Sequence, residues 1–161
     1  MSRDNSFEAS PYASGFESLI FAGRRVPDVC GLVGWTPKGN YIMLPVQKNC
    51  FMDRTMAGGT GDRDGDETTK NDGWAAFSGT SAAAPQIAGI CALIKQVNHN
   101  LTPTTIKSIL KQTARDVTNG RCSDWTGEPA QQKAKPGPDI ATGNGLVDAY
   151  HAVCHARNQN R

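Results

Sequence analysis

The stretch AFSGTSAAAPQIAGICALI, from Ala76 to Ile94, decides the fold. Gly79, Thr80 and Ser81 make a tight turn, three alanines follow, and Pro85 comes next. Ile87, Ile90, Cys91, Ile94 and Val97 then recur at helical spacing. Proline is tolerated in the first turn of a helix, where its missing N–H has no partner to lose. The spacing therefore predicts a helix that begins around Thr80 to Ala82 and runs to about residue 98. Ser81 would stand at its N-terminus and Pro85 in its first turn.

Working outward, WAAFS (74–78) reads as a short buried strand feeding this helix. Upstream, RRVPDVCGLVG (24–34) is a strand-like apolar run, and NYIMLPV (40–46) is a second one reached through the turn TPKGN. Residues 53–73 form a long Gly/Asp loop, and residues 1–24 are polar with room for one short strand. Downstream, Thr102 caps a helix with Pro103 at its first position and Ile106, Ile109 and Leu110 as its apolar stripe. Residues 115–143 read as irregular, and a last helix runs from near Leu146 to about Ala156. Strand, loop and helix alternate, which predicts an α/β layer architecture in one domain.

Composition narrows the function. Seventeen basic residues stand against 15 acidic ones, giving a net charge of +2. The basic residues are scattered and rarely interleaved with aromatics, so the sequence gives no sign of a nucleic-acid partner. No apolar run approaches the roughly 18 residues of a membrane-spanning helix. The N-terminal MSRDNSFEAS lacks the apolar stretch of a signal peptide, which leaves the compartment open. Cys30, Cys50, Cys91, Cys122 and Cys154 form no C-x-x-C pair, and their odd number and wide spacing argue against a disulfide scaffold or a zinc ribbon.

A serine at the N-terminus of a buried helix is well placed for nucleophilic catalysis. Free N–H groups and the helix dipole stabilise negative charge there, including the oxyanion of an acyl-transfer intermediate. The competing reading is that Ser81 only caps the helix. The Gly-Thr-Ser turn and the Ala-rich approach to Pro85 weigh against a plain cap. The nucleophile elbow of α/β-hydrolases needs G-x-S-x-G, and Ala83 stands where its second glycine belongs.

SGTSAAAP instead resembles the nucleophile motif of the subtilisin/sedolisin superfamily of serine peptidases. GRRVPDV resembles the strand entry that precedes the nucleophile, TPTTIKSILKQTARDV the helix that follows it, and ATGNGLVDAYHAV the closing turn and C-terminal helix. The resemblance implies an acyl-forming Ser81 within the motif residues Gly79, Thr80 and Pro85, with the Ser81 N–H as one oxyanion donor. It implies a peptide or protein substrate, relatives that are commonly secreted, and a parallel sheet with flanking helices. The chain as a whole, 1–161, looks like the C-terminal part of such a catalytic domain. The Asp and His that would activate Ser81 in the subtilisin branch belong upstream of it, yet His99, His151 and His155 all follow it. None of the upstream acids forms the helical E-x-x-x-D arrangement of the sedolisin branch. The N-terminal part of the domain is thus an expected partner. The alternatives are a non-catalytic truncated product, a pseudopeptidase, or one chain of a split enzyme.

The resemblance also implies calcium. Asp116 and the Val117 carbonyl in RDVTNG, with Lys135, Gly137 and Asp139 in KPGPD, occupy positions that hold the ion in sedolisin-like members. Two carboxylates with several carbonyls and water suit calcium's preference for six to eight oxygens. Turn formation by Asp116 and Asp139, or neutralisation by the Lys135 ammonium, answers the same residues without a metal. DRDGDE (62–67) fails as an EF-hand, because its sixth position is Glu67 and its twelfth Gly73. His151 and His155, four apart on the last helix, read as exposed helix polarity.

Overall fold

A computed structural model of the chain describes residues 7–34, 42–58, 65–123 and 132–159. In chain order the elements are β1 (Phe16–Glu17), β2 (Arg25–Val26), β3 (Ile42–Pro45), α1 (Phe51–Thr55), β4 (Trp74–Phe77), α2 (Thr80–Val97), α3 (Pro103–Thr113) and α4 (Ala149–Asn158). Strands and helices mix as the alternating pattern predicts. The turn TPKGN and parts of the 53–73 and 115–143 loops lie outside the described residues.

The sheets depart from expectation. Among the described residues both ladders are antiparallel: β1 with β2, and β3 with β4 in the register Ile42↔Phe77 to Pro45↔Trp74. Parallel pairing is confined to the isolated bridges Ala9↔Gly120 and Cys30↔Leu146. The apolar run 24–34 is a strand only at Arg25–Val26. Pro27 has no N–H to continue a ladder. Beyond it the chain bends at Asp28 and Val29, and then Cys30 N–H donates to the Gly145 carbonyl and Val147 N–H to the Cys30 carbonyl.

Helix α2 starts at Thr80, which puts Pro85 one turn deeper than the sequence predicts. The missing Pro85 N–H leaves the Ser81 carbonyl without its i+4 donor. Further along, the apolar stripe of α2 meets α3 and α4 in a core of Ile94, Ile106, Ile109, Leu110, Ala152 and Ala156, with Ile87, Ile90, Cys91 and Val97 packed around it. Burial pushes the Cys91 thiol up from its ordinary value, in keeping with an inert packing role. Buried Asn98 ends α2, its side-chain amide donating to the Ala156 carbonyl at 3.4 Å. Thr102 caps α3 as expected, accepting from Thr105 N–H, with Pro103 at the first helical position. A smaller cluster of Ala9, Cys122, Ala134 and Ala141 holds the irregular 115–143 region against the N-terminal segment.

The last helix begins later than Leu146, because Leu146 is taken by bridges to Cys30 and Arg115. Asp148 caps α4 instead, accepting from His151 N–H at 2.9 Å. Its other oxygen lies 2.6 Å from Arg115 Nε and 3.0 Å from His151 Nδ1. The His151 backbone hydrogen bond, joined by the His151 and Arg115 side chains, holds the Asp148 carboxyl well below the usual carboxylate range. A depressed native pKa contributes stability above the ordinary value of 3.8, and that stability is lost as pH falls below it. Asp148→Asn keeps a capping oxygen but loses the charge that meets Arg115, and is therefore expected to cost about 1 kcal/mol at pH 7. The gap between the two proteins should narrow as the pH of thermal melts falls below about 4. A gap that stays constant with pH would remove Asp148 from this role.

Candidate active site

Only Ser78 and Gly79 separate the end of β4 from the start of α2. Gly79 makes this sharp turn with φ 91° and ψ 173°, a conformation essentially restricted to glycine. A Cβ at Gly79 would meet nothing within 4 Å, so it is the backbone angle and not crowding that demands glycine. Ser78 Oγ donates to the Gly34 carbonyl and pins the turn from the side.

Ser81 follows as the second residue of the helix, exposed at its N-terminal end. It does not cap the helix: Gly79 holds the cap position, and no side chain bonds there. Ala82 and Ala83 N–H both donate to the Gly79 carbonyl, while the amides of Thr80 and Ser81 have no acceptor among the described residues. Those two N–H groups and the positive end of an 18-residue helix lie at the same helix terminus as Ser81. The chemistry suits a nucleophile beside a developing oxyanion.

Two neighbours of this helix end were not legible as such. Gln86 reads the backbone of Leu32 like a ladder partner, its Nε2 donating to the carbonyl at 2.7 Å and its Oε1 accepting from the N–H at 3.3 Å. Gly31 packs so closely that an added Cβ would stand 2.8 Å from the Ala83 carbonyl oxygen. The small residues Ala82–Ala84 thus admit this chain's own segment 31–34. A groove of about 710 Å³ runs from Gly79 and Thr80 along α2, between that helix, α3 and residues 10–33. It is mostly apolar, walled by Val29, Val33, Ile87, Ile106 and Leu110 among others.

No activating base meets Ser81 Oγ among the described residues. His151 is engaged with Asp148, His155 with Gln159 at 3.1 Å, and both lie on α4. The described aspartates upstream are committed elsewhere. Buried Asp53 accepts from Asn49 and Gly73 N–H, Asp66 from Thr68 and Ala76, and Asp72 from Thr69 and Trp74. Asp28 takes Arg24 in a two-pronged bond at 2.9 Å and Lys107 at 2.9 Å. Partial burial pushes the Asp28 carboxyl up, and the bonds from Arg24 and Lys107 outweigh it and hold it below its ordinary value. Burial raises the Cys30 thiol to about 12, which leaves it a poor nucleophile at neutral pH.

The residues singled out for calcium do gather on one loop, but with different atoms forward. Asp116 Oδ2 accepts from Gly137 N–H at 2.9 Å, and Asp139 Oδ2 accepts from Lys135 N–H at 2.7 Å. Asp139 Oδ1 accepts from both the N–H and the hydroxyl of Thr142. Asp139 and Val117 are buried. Lys135 and Gly137 thus offer amide N–H groups, where calcium needs carbonyl oxygens. No group of three His, Cys, Asp or Glu able to hold a metal occurs among the described residues. In this arrangement the loop is closed by hydrogen bonds, and the donors do not fit a calcium ion.

Comparison with known families identifies the family. The Subtilase family matches residues 50–145, more than half of the chain. The chain belongs to the subtilase family. Its relatives include subtilisin-like protease SBT1.9 of Arabidopsis thaliana, 35% identical over 55% of this chain, and bacillopeptidase F of Bacillus subtilis, 34% identical over 53%. These matches span 12% and 5% of the two relatives. Among solved structures, fervidolysin from Fervidobacterium pennivorans aligns with 73% of this chain and 14% of its own at 27% identity and TM-score 0.45. A protease from Pseudoalteromonas arctica aligns with 57% of this chain and 22% of its own at 37% identity and TM-score 0.40. The relatives are serine-type peptidases at the family level, and the family match takes in Gly79, Thr80, Ser81 and Pro85.

The calcium-site geometry gives a direct test. Millimolar calcium should leave the melting temperature of the chain unchanged. Asp139→Asn should cost about 1–3 kcal/mol by leaving the loop amides without their charged acceptor. Calorimetric calcium binding that disappears in Asp139→Asn would show that Lys135 and Gly137 turn their carbonyls inward to hold the ion.

Proposed function

We propose that residues 1–161 are the nucleophile-bearing, C-terminal portion of a subtilisin-like parallel-sheet catalytic domain, and that its reaction is hydrolysis of internal peptide bonds in peptides or proteins. The single observation that carries this reading is the exposed Ser81 beside two unbonded amides at the N-terminus of α2. Ser81 Oγ attacks the scissile carbonyl carbon and gives its proton to a base. The tetrahedral oxyanion accepts from the Ser81 N–H, and the C–N bond then breaks as the amine leaves with a proton. Water hydrolyses the resulting ester and restores the serine.

The base belongs to residues outside those described, in the upstream part of the domain. That part is also the proposed cover for the apolar groove along α2, and the partner whose strands would extend the isolated parallel bridges into a sheet. No described helix is long and apolar enough to cross a membrane. One matched relative, 39% identical over 39% of this chain, is named extracellular protease in Xanthomonas campestris. Release from the cell is the location that fits this reading.

A second reading follows from the lack of any base at Ser81 Oγ among the described residues: a truncated product or pseudopeptidase that keeps the serine without its chemistry. A split enzyme differs from both only in receiving its base from a separate chain. A fluorophosphonate probe separates them. The 161-residue chain should label slowly, because a serine hydroxyl without a base is a weak nucleophile. Supplying the upstream remainder of the domain should accelerate labelling of Ser81 by about three orders of magnitude or more, and Ser81→Ala should abolish it. No acceleration in the reconstituted domain would favour the non-catalytic reading. Rapid labelling of the isolated chain would show a base supplied from within it.

A further inference from the structure

The turn between β1 and β2 carries Leu19, Ile20 and Phe21, exposed to 103%, 85% and 69%. Three consecutive large apolar side chains in water are costly, and none of them touches the core clusters. Successive side chains leave the backbone in different directions, so a flat protein face cannot receive all three. A fluid apolar phase can. The turn is also built to shed water. Ser18 Oγ accepts from Ile20 N–H at 3.2 Å and from Phe21 N–H at 3.0 Å. Ser18 N–H donates to the Arg24 carbonyl, and Arg24 N–H to the Phe21 carbonyl. These internal bonds lower the penalty for moving the turn into a medium without hydrogen-bond partners.

The base of the turn is cationic. Arg24 follows within three residues of Phe21, and Arg25 sits opposite Glu17 in the ladder. Lys107 and Lys111, one turn apart on α3, reach Asp28 from the other side at 2.9 and 3.9 Å. Four cations, Arg24, Arg25, Lys107 and Lys111, therefore face three carboxylates around a cleft of about 240 Å³: Asp28 and Asp139 in its wall, and Glu17 paired with Arg25. An apolar knob on a basic collar matches the two layers of an anionic bilayer surface, acyl chains below and negative headgroups above.

We propose that the β1–β2 turn docks the chain on anionic lipid surfaces, with Leu19, Ile20 and Phe21 entering the headgroup–acyl boundary and Arg24, Arg25, Lys107 and Lys111 meeting the headgroups. The chain would lie on the membrane and not span it. The contact is independent of Ser81.

Co-sedimentation of the full chain with vesicles tests this. It should bind vesicles containing phosphatidylserine and leave vesicles of phosphatidylcholine alone largely unbound. Replacing Leu19, Ile20 and Phe21 together by serine should lower partitioning by at least about tenfold. Lys107→Gln with Lys111→Gln should lower it by about tenfold and flatten its salt dependence. An unchanged thermal melt of the serine variant confirms that it folds. Phe21→Trp adds emission, read as the difference from wild type, that acyl-chain-brominated lipid should quench. Absence of binding to anionic vesicles, or binding unaffected by the serine variant, overturns the proposal. So does a serine variant that binds vesicles normally but loses a soluble protein partner.

Discussion

The backbone conformation of Gly79 is the constraint on which the site depends. With φ 91° and ψ 173° it lets the chain pass from the extended β4 to the helical α2 across two residues. An L side chain there would resist that conformation, at a cost of roughly 1–3 kcal/mol. The turn aims α2 so that Ser81 emerges at the strand's end, while Ile94, nearly four turns along, reaches the core. Ser78 to Gly34 and Gln86 to Leu32 then tie segment 31–34 across the same helix end. The antiparallel β3–β4 ladder supports the strand side of the junction, and Asp66 adds a bond to Ala76 N–H.

Much of this was legible in the sequence, for identifiable reasons. The β4–α2 pair, the α3 cap at Thr102 and the apolar stripes are local features, set by spacing and by proline and glycine chemistry. Pro85 was read as a first-turn proline and sits a turn deeper, because the helix starts before the alanines and the loss of one N–H is tolerated at its exposed end. The strand reading of 24–34 failed past Val26, where apolar content outlasts the ability to donate hydrogen bonds. The later start of α4 follows from Leu146 being claimed by Cys30 and Arg115, contacts that no local pattern records. Residues 116–139 illustrate the same limit. The types suited calcium, but whether a loop residue offers its N–H or its carbonyl depends on backbone direction, which composition does not encode.

On the proposed reading, the chain separates two ingredients of serine-peptidase chemistry. The platform for the nucleophile and the oxyanion is local, made by one turn and the first residues of one helix. Activation is not local, since His151, His155, Asp53 and Asp66 are bonded to other partners around the molecule. The ladders among the described residues are short, and α2 borders an apolar groove of about 710 Å³. The subtilase family match spans the helix end that carries Ser81.

Two glycines of the same region test the central constraint most directly. Gly79 has a positive φ and Gly89 lies within α2, and a Cβ meets nothing within 4 Å at either. Crowding is thus the same at both, and only backbone conformation differs. Thermal and denaturant unfolding should show Gly79→Ala destabilised by about 1–3 kcal/mol. The same measurements should show Gly89→Ala stabilised by about 0.5–1 kcal/mol. Shifts of opposite sign support the account. A neutral or stabilising Gly79→Ala would contradict it, because the turn that presents Ser81 would then not depend on glycine.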